Sequence, residues 1–120
     1  MEHNSFINIS KYFPNKTISS FFFNYEIMTR EYIAKQFGFS PEFLAIPEQV
    51  HSNVVKWVES SGDYKGVDGL ITSKSNLILT LKVADCVPIY FFDEQNNIIA
   101  LVHSGWRGIR DGIIPNTLEI

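Results

Sequence analysis

The stretch VPIYFFDEQNNIIALVH, residues 87–103, decides how this chain is to be read. Two runs of β-branched and aromatic residues, VPIYFF (87–92) and IIALVH (98–103), flank the polar run DEQNN. Such runs favour strands, and a connector of this length is typical of a hairpin. The spacing therefore predicts an antiparallel pair. The consequence is chemical, because the only cysteine of the chain, Cys86, immediately precedes the first strand and His103 closes the second. Antiparallel pairing brings both to the same end of the sheet.

Working outward, LILTLKV (77–83) reads as a further strand and VVKWVE (54–59) alternates as a half-buried one. Between them, SSGDYKGVDG has turn chemistry, and Asp68, flanked by glycine-rich sequence, reads as a turn residue. Upstream, Ile27, Ile33, Ala34 and Phe37 recur at helical spacing and Gly38 is placed to end the element, which predicts a helix over 25–37. After His103 the strand pattern is lost. SGWRGIRDGIIPNTLEI suits a turn into a helix that Pro115, lacking an amide hydrogen, is expected to kink or restart. The sequence stops at Ile120 in an apolar pattern with no cap, as a chain cut short on its C-terminal side would.

The 120 residues suffice for one hydrophobic core, and 45% hydrophobic with 19% charged residues is the balance of a globular protein. A formal net charge of −3 with interspersed signs offers no footprint for nucleic acid. No apolar run is long enough to span a membrane. The N-terminus lacks the pattern of a secretory signal, and a single cysteine cannot form an internal disulfide, so a cytoplasmic setting is expected.

Three residues carry metal-ligand chemistry: His51, Cys86 and His103. His51 follows PEQV just before a predicted strand, so it too can lie at a strand end, though not demonstrably the same one. Two imidazoles and a thiolate suit zinc, and three protein ligands leave a fourth position for water or substrate. Two other readings stand beside this one. Cys86 can be core filler with both histidines as satisfied polar groups, or a nucleophile activated by His103. In HSGWRG (103–108), small residues and Arg107 can gather an anion, or can form a tight strand-to-helix turn anchored by Trp106. Asp85 can orient a histidine, bind a substrate hydroxyl or accept a proton, or simply cap a turn.

With PEQVHSNVV, GVDGLITSK, LKVADCVPIYFFD and IALVHSGWRGIRDGII in that order, the chain resembles the YfiH family, also called laccase-domain or multicopper polyphenol oxidase proteins, from about Arg30 to its end. The resemblance implies that His51, Cys86 and His103 bind zinc; with such a site, the chemistry of the residues leads us to expect Cys86, His103 and Asp85 to serve catalysis and Arg107 to bind substrate. The fold it implies is α/β: a layered α/β/β/α sandwich with mixed sheets, related to the catalytic domain of cytotoxic necrotizing factor toxins. Residues 1–120 would be a single such domain, incomplete on its C-terminal side, because family members are longer and carry a second half with a GPxIG-type segment. At the other end, ISSFFFNYE stands where the family has a glycine- and serine-rich block.

The implied activity is that of a purine nucleoside phosphorylase acting on adenosine, inosine, guanosine and methylthioadenosine, with adenosine deamination as a second reaction. Purine nucleoside and phosphate are then its partners, with no nucleic acid and no membrane. The family's older name implies copper-dependent phenol oxidation, but two histidines outside the N-terminal tail are too few for a multicopper centre. Two competing functions are a Cys-His thiol hydrolase or deamidase, as in the toxins, and an inactive segment completed by self-association or by another chain.

Overall fold

The computed structural model describes residues 6–8, 21–23, 29–83 and 86–119. It divides into two compact units, residues 1–41 and 42–120. In the first, β1 (Phe6–Asn8) and β2 (Phe21–Phe23) pair antiparallel. Helix α1 (Arg30–Gln36) begins where Thr29 accepts from the Tyr32 amide, filling one of the donors a helix start leaves open. The helix is shorter than the predicted 25–37, and residues 24–28 lie outside the described set. Gly38 follows its end at φ 77°.

The second unit holds two sheets. One is three-stranded and parallel, ordered β5 (Gly62–Lys65), β3 (Leu44–Glu48), β7 (Ile78–Leu79). The other is mixed, ordered β4 (Val55–Trp57), β6 (Gly69–Thr72), β9 (Ile98–Ser104), β8 (Val87–Asp93), with β4 and β6 parallel and the remaining pairs antiparallel. The predicted hairpin is present in register, with Val87 opposite Ser104 and Asp93 opposite Ile98.

The core lies between the sheets, where Ala45, Val58, Val67, Leu70 and Leu77 cluster with Tyr64 and Leu79 against them. Leu70 is fully buried, a burial worth about 1.5–3 kcal/mol. Every residue of β6 is buried, so both of its faces are covered. Leu70 faces the parallel sheet; the other face is closed by α2 (Trp106–Arg110) and α3 (Ile113–Leu118), which pack on the neighbouring β9 and β4. Residues 42–120 thus form β/β/α layers of the expected sandwich. None of the described helices is long and apolar enough to cross a membrane.

Three local expectations are corrected. SSGDYKGVDG is not all turn: Gly62–Lys65 forms β5, an exposed polar strand held by backbone pairing to β3, with glycines in the left-handed region at both ends. LILTLKV is mostly irregular. Only Ile78–Leu79 pairs, after which both the amide and hydroxyl of Thr80 donate to the Ala45 carbonyl. Finally, the helix after His103 breaks at Gly112, with φ 89°, and not at Pro115. Pro115 sits in the first turn of α3, where a missing amide hydrogen costs no helical bond.

Candidate metal centre

Strand register assembles the site. Pro88 lies opposite His103 and Val87 opposite Ser104, so Cys86, just before β8, arrives beside the end of β9. The Ser104 hydroxyl donates to the Val87 carbonyl at 2.6 Å and pins that end of the hairpin. On the other side of β9, Gly69 pairs with Val102, which sets Asp68 level with His103, and the His103 amide donates to the Asp68 carbonyl at 2.7 Å. The Asp68 amide in turn donates to Val54 at 2.9 Å. Asp68 is therefore held by the sheet on both flanks.

Its carboxylate is fully buried and surrounded by donors. Oδ1 accepts from the Val50 amide (3.1 Å), the Ser52 amide (2.8 Å) and the Ser52 hydroxyl (2.7 Å). Oδ2 accepts from the His51 amide (3.1 Å) and lies 2.7 Å from His103 Nδ1. Burial pushes the carboxyl upward, but the bonds from Ser52, His103 and Val50 outweigh it and hold it below the usual carboxylate range. A carboxylate only accepts, so in a neutral imidazole this contact favours the tautomer with the proton on Nδ1, which leaves Nε2 as the acceptor atom.

Residues 50–52 are wrapped around Asp68, and His51 pays for the bend with φ 63°, a left-handed conformation that costs a non-glycine residue about 1–2 kcal/mol. Bonds to the charged carboxylate offset this. The lead-ins to His51 and Cys86 are also tied together, since the Gln49 side chain donates to the Lys82 carbonyl at 2.7 Å and accepts from the Lys82 amide at 2.9 Å. The helices close on the same loop through Asn53 Nδ2 to Asp111 (2.7 Å) and Asn116 Nδ2 to Asn53 (2.9 Å).

The result is that one donor atom each from His51, Cys86 and His103 lie within 4.8 Å of one another. The two imidazole centroids are 5.1 Å apart at 73°. Donors bound tetrahedrally to one ion at 2.0–2.3 Å stand about 3.3–3.7 Å apart, so small side-chain adjustments bring the three to ligating distance. The trio grades from buried His103 through half-buried Cys86 to exposed His51, and so opens to solvent. Gly105 leaves the room between them: a Cβ there would lie 3.1 Å from Cys86 Sγ, 3.4 Å from His51 Cδ2 and 4.0 Å from His103 Cε1. The donor set and its spacing fit a metal ion.

The three donor residues are legible in the sequence, but Asp68, which its glycine-rich context marks as a turn residue, is the anchor shared by the His51 loop and His103. The available signal was an aspartate directly before the wholly apolar start of GLIT. Arg107 is exposed and, like Arg110, stacks on exposed Trp106, at 5.3 and 5.1 Å. Asp85 lies outside the described residues. The surface depressions lined by residues such as Glu42 and Lys74, or Asn53 and Glu119, include none of the donors.

Residues 27–120 match the family pattern for multi-copper polyphenol oxidoreductase laccase. A purine nucleoside phosphorylase of Staphylococcus saprophyticus is 43% identical over 89 residues, 66% of this chain and 34% of that protein. One of Corynebacterium glutamicum is 39% identical over 93 residues, 74% of this chain and 38% of its own length. This chain thus matches little more than a third of either relative. Among solved structures, YlmD from Geobacillus stearothermophilus superposes with a TM-score of 0.72 at 34% identity, over 75% of this chain and 37% of that one. YfiH from Bacillus licheniformis gives 0.67 at 26% identity, over 75% and 38%. On these matches the chain belongs to the laccase-like YfiH family of multi-copper polyphenol oxidoreductase proteins.

Proposed function

We propose that the chain carries the metal-binding part of a zinc-dependent purine nucleoside phosphorylase, acting on adenosine, inosine, guanosine and methylthioadenosine and able to deaminate adenosine. The observation that carries this reading is the convergence of His51, Cys86 and His103 on one opening, in a chain whose relatives are named purine nucleoside phosphorylases. Two imidazoles and one thiolate are a zinc-type donor set. When bound, the ion supplies Lewis acidity at the open position.

In phosphorolysis a phosphate oxygen bonds to the sugar carbon as the glycosidic C–N bond breaks, and the departing purine takes up a proton. We assign anion binding to Arg107, whose guanidinium fork matches phosphate, and proton handling to Asp85 beside Cys86. Cys86 and His103 complete the reacting surface. Asp68 keeps the His103 ring fixed from behind.

A second reading is favoured by one observation: Asp68, His103 and Cys86 have the orienter, base and nucleophile order of a thiol hydrolase. The two separate cleanly in a phosphate-dependent assay of purine release from inosine. The phosphorylase reading expects activity lost to chelator and restored by zinc. No purine release with phosphate and zinc present, together with metal-independent amide hydrolysis that alkylation of Cys86 abolishes, would favour the hydrolase reading instead.

A further inference from the structure

We propose that Asp68 is the positioning residue that fixes two of the three donors at once, setting the His103 tautomer through one oxygen while bending the His51 loop into place. The inference rests on the metal-centre reading and deepens it. Among the described residues, the one ionisable side chain within ion-pair reach of this fully buried carboxylate is His103. Five donors meet it, four of them from residues 50–52 and the fifth His103 Nδ1. A buried anion so placed, bonded to one of three metal-type donors and to the backbone of a second, suits a site completed by a divalent cation.

The exchange Asp68→Asn separates positioning from mere bracing. An asparagine oxygen in the place of Oδ1 keeps all three bonds from Val50 and Ser52, so most of the loop's support survives. In the place of Oδ2 it puts an NH2 group, which faces the His51 amide and His103 Nδ1. The His51 amide cannot become an acceptor. His103 can, by moving its proton to Nε2, which is the atom needed for ligation. A neutral amide is therefore expected to switch the imidazole into the tautomer that cannot bind metal.

The test uses metal-stripped full chain with 15N-labelled histidine, observed at alkaline pH where imidazole is neutral, together with cobalt(II) titration followed by thiolate charge-transfer absorption. Wild type should show His103 protonated at Nδ1. Asp68→Asn should show it protonated at Nε2 and bind cobalt about 10–100-fold more weakly, the usual scale for losing a group that orients a ligand. Ser52→Ala, which removes a bond to Oδ1 and leaves the His103 contact, should keep the wild-type tautomer. Should Asp68→Asn fail to fold, the wild-type tautomer alone decides, since protonation at Nε2 there overturns the inference. Equal cobalt affinity and an unchanged tautomer in a folded Asp68→Asn overturn the inference alone, whereas a wild type that binds no cobalt overturns the metal centre and the inference with it.

Discussion

Gly105→Ala tests how closely the three donors are fitted around an empty volume. The Gly105 backbone, at φ −81° and ψ 171°, is open to any L-residue. Strain in the main chain is therefore not the issue. The new methyl would stand 3.1 Å from Cys86 Sγ and 3.4 Å from His51 Cδ2, and relieving the first contact requires the sulfur to move by a few tenths of an ångström or more. Metal–donor distances tolerate only about ±0.2 Å. Overpacking of this kind costs about 1–3 kcal/mol. Carried into metal binding, at about 1.4 kcal/mol per decade, it predicts zinc affinity weakened by roughly 5- to 150-fold. A further fraction of a kcal/mol is expected in folding stability, because alanine is a poorer helix cap than glycine. Competition with a chromophoric chelator measures the first effect and thermal unfolding of the metal-free protein the second. Zinc affinity within twofold of wild type, with the variant folded, would refute the packing argument.

Other substitutions probe neighbouring parts of the account. Gly69→Ala places a methyl 3.0 Å from Val102 Cγ2 and 3.3 Å from Val55 inside the mixed sheet, and denaturant unfolding should show a loss of about 1–3 kcal/mol. Gly112→Ala forces alanine to φ 89° between α2 and α3, which should cost about 1–2 kcal/mol in the same assay while zinc stoichiometry stays unchanged. Arg107→Lys keeps the charge but loses the fork, so zinc content should be unaffected while half-saturating phosphate rises by the equivalent of about 1–3 kcal/mol. Equal half-saturation would leave Arg107 with only its stacking on Trp106.

What the sequence revealed and what it hid have physical causes. The 87–103 hairpin was legible because alternating β-branched and aromatic residues flank a short polar connector, and its geometry alone placed Cys86 near His103. His51 could not be placed that way. It reaches the cluster only because residues 50–52 fold around Asp68, a contact between segments with no local periodicity. β5 was hidden because its residues are mostly exposed and polar, so nothing but pairing to β3 makes them a strand. The break before α3 is harder to read, because proline signals a break strongly in sequence, whereas Gly112 acts through a positive φ that only the structure reveals.

The central claim is that His51, Cys86 and His103 together hold one metal ion. Elemental analysis of protein purified without chelator, wild type beside Cys86→Ser, tests it most directly. The account predicts about one equivalent of zinc per chain in wild type and a large loss when the thiolate is replaced. Less than about a tenth of an equivalent in wild type, or the same content in both proteins, would contradict it.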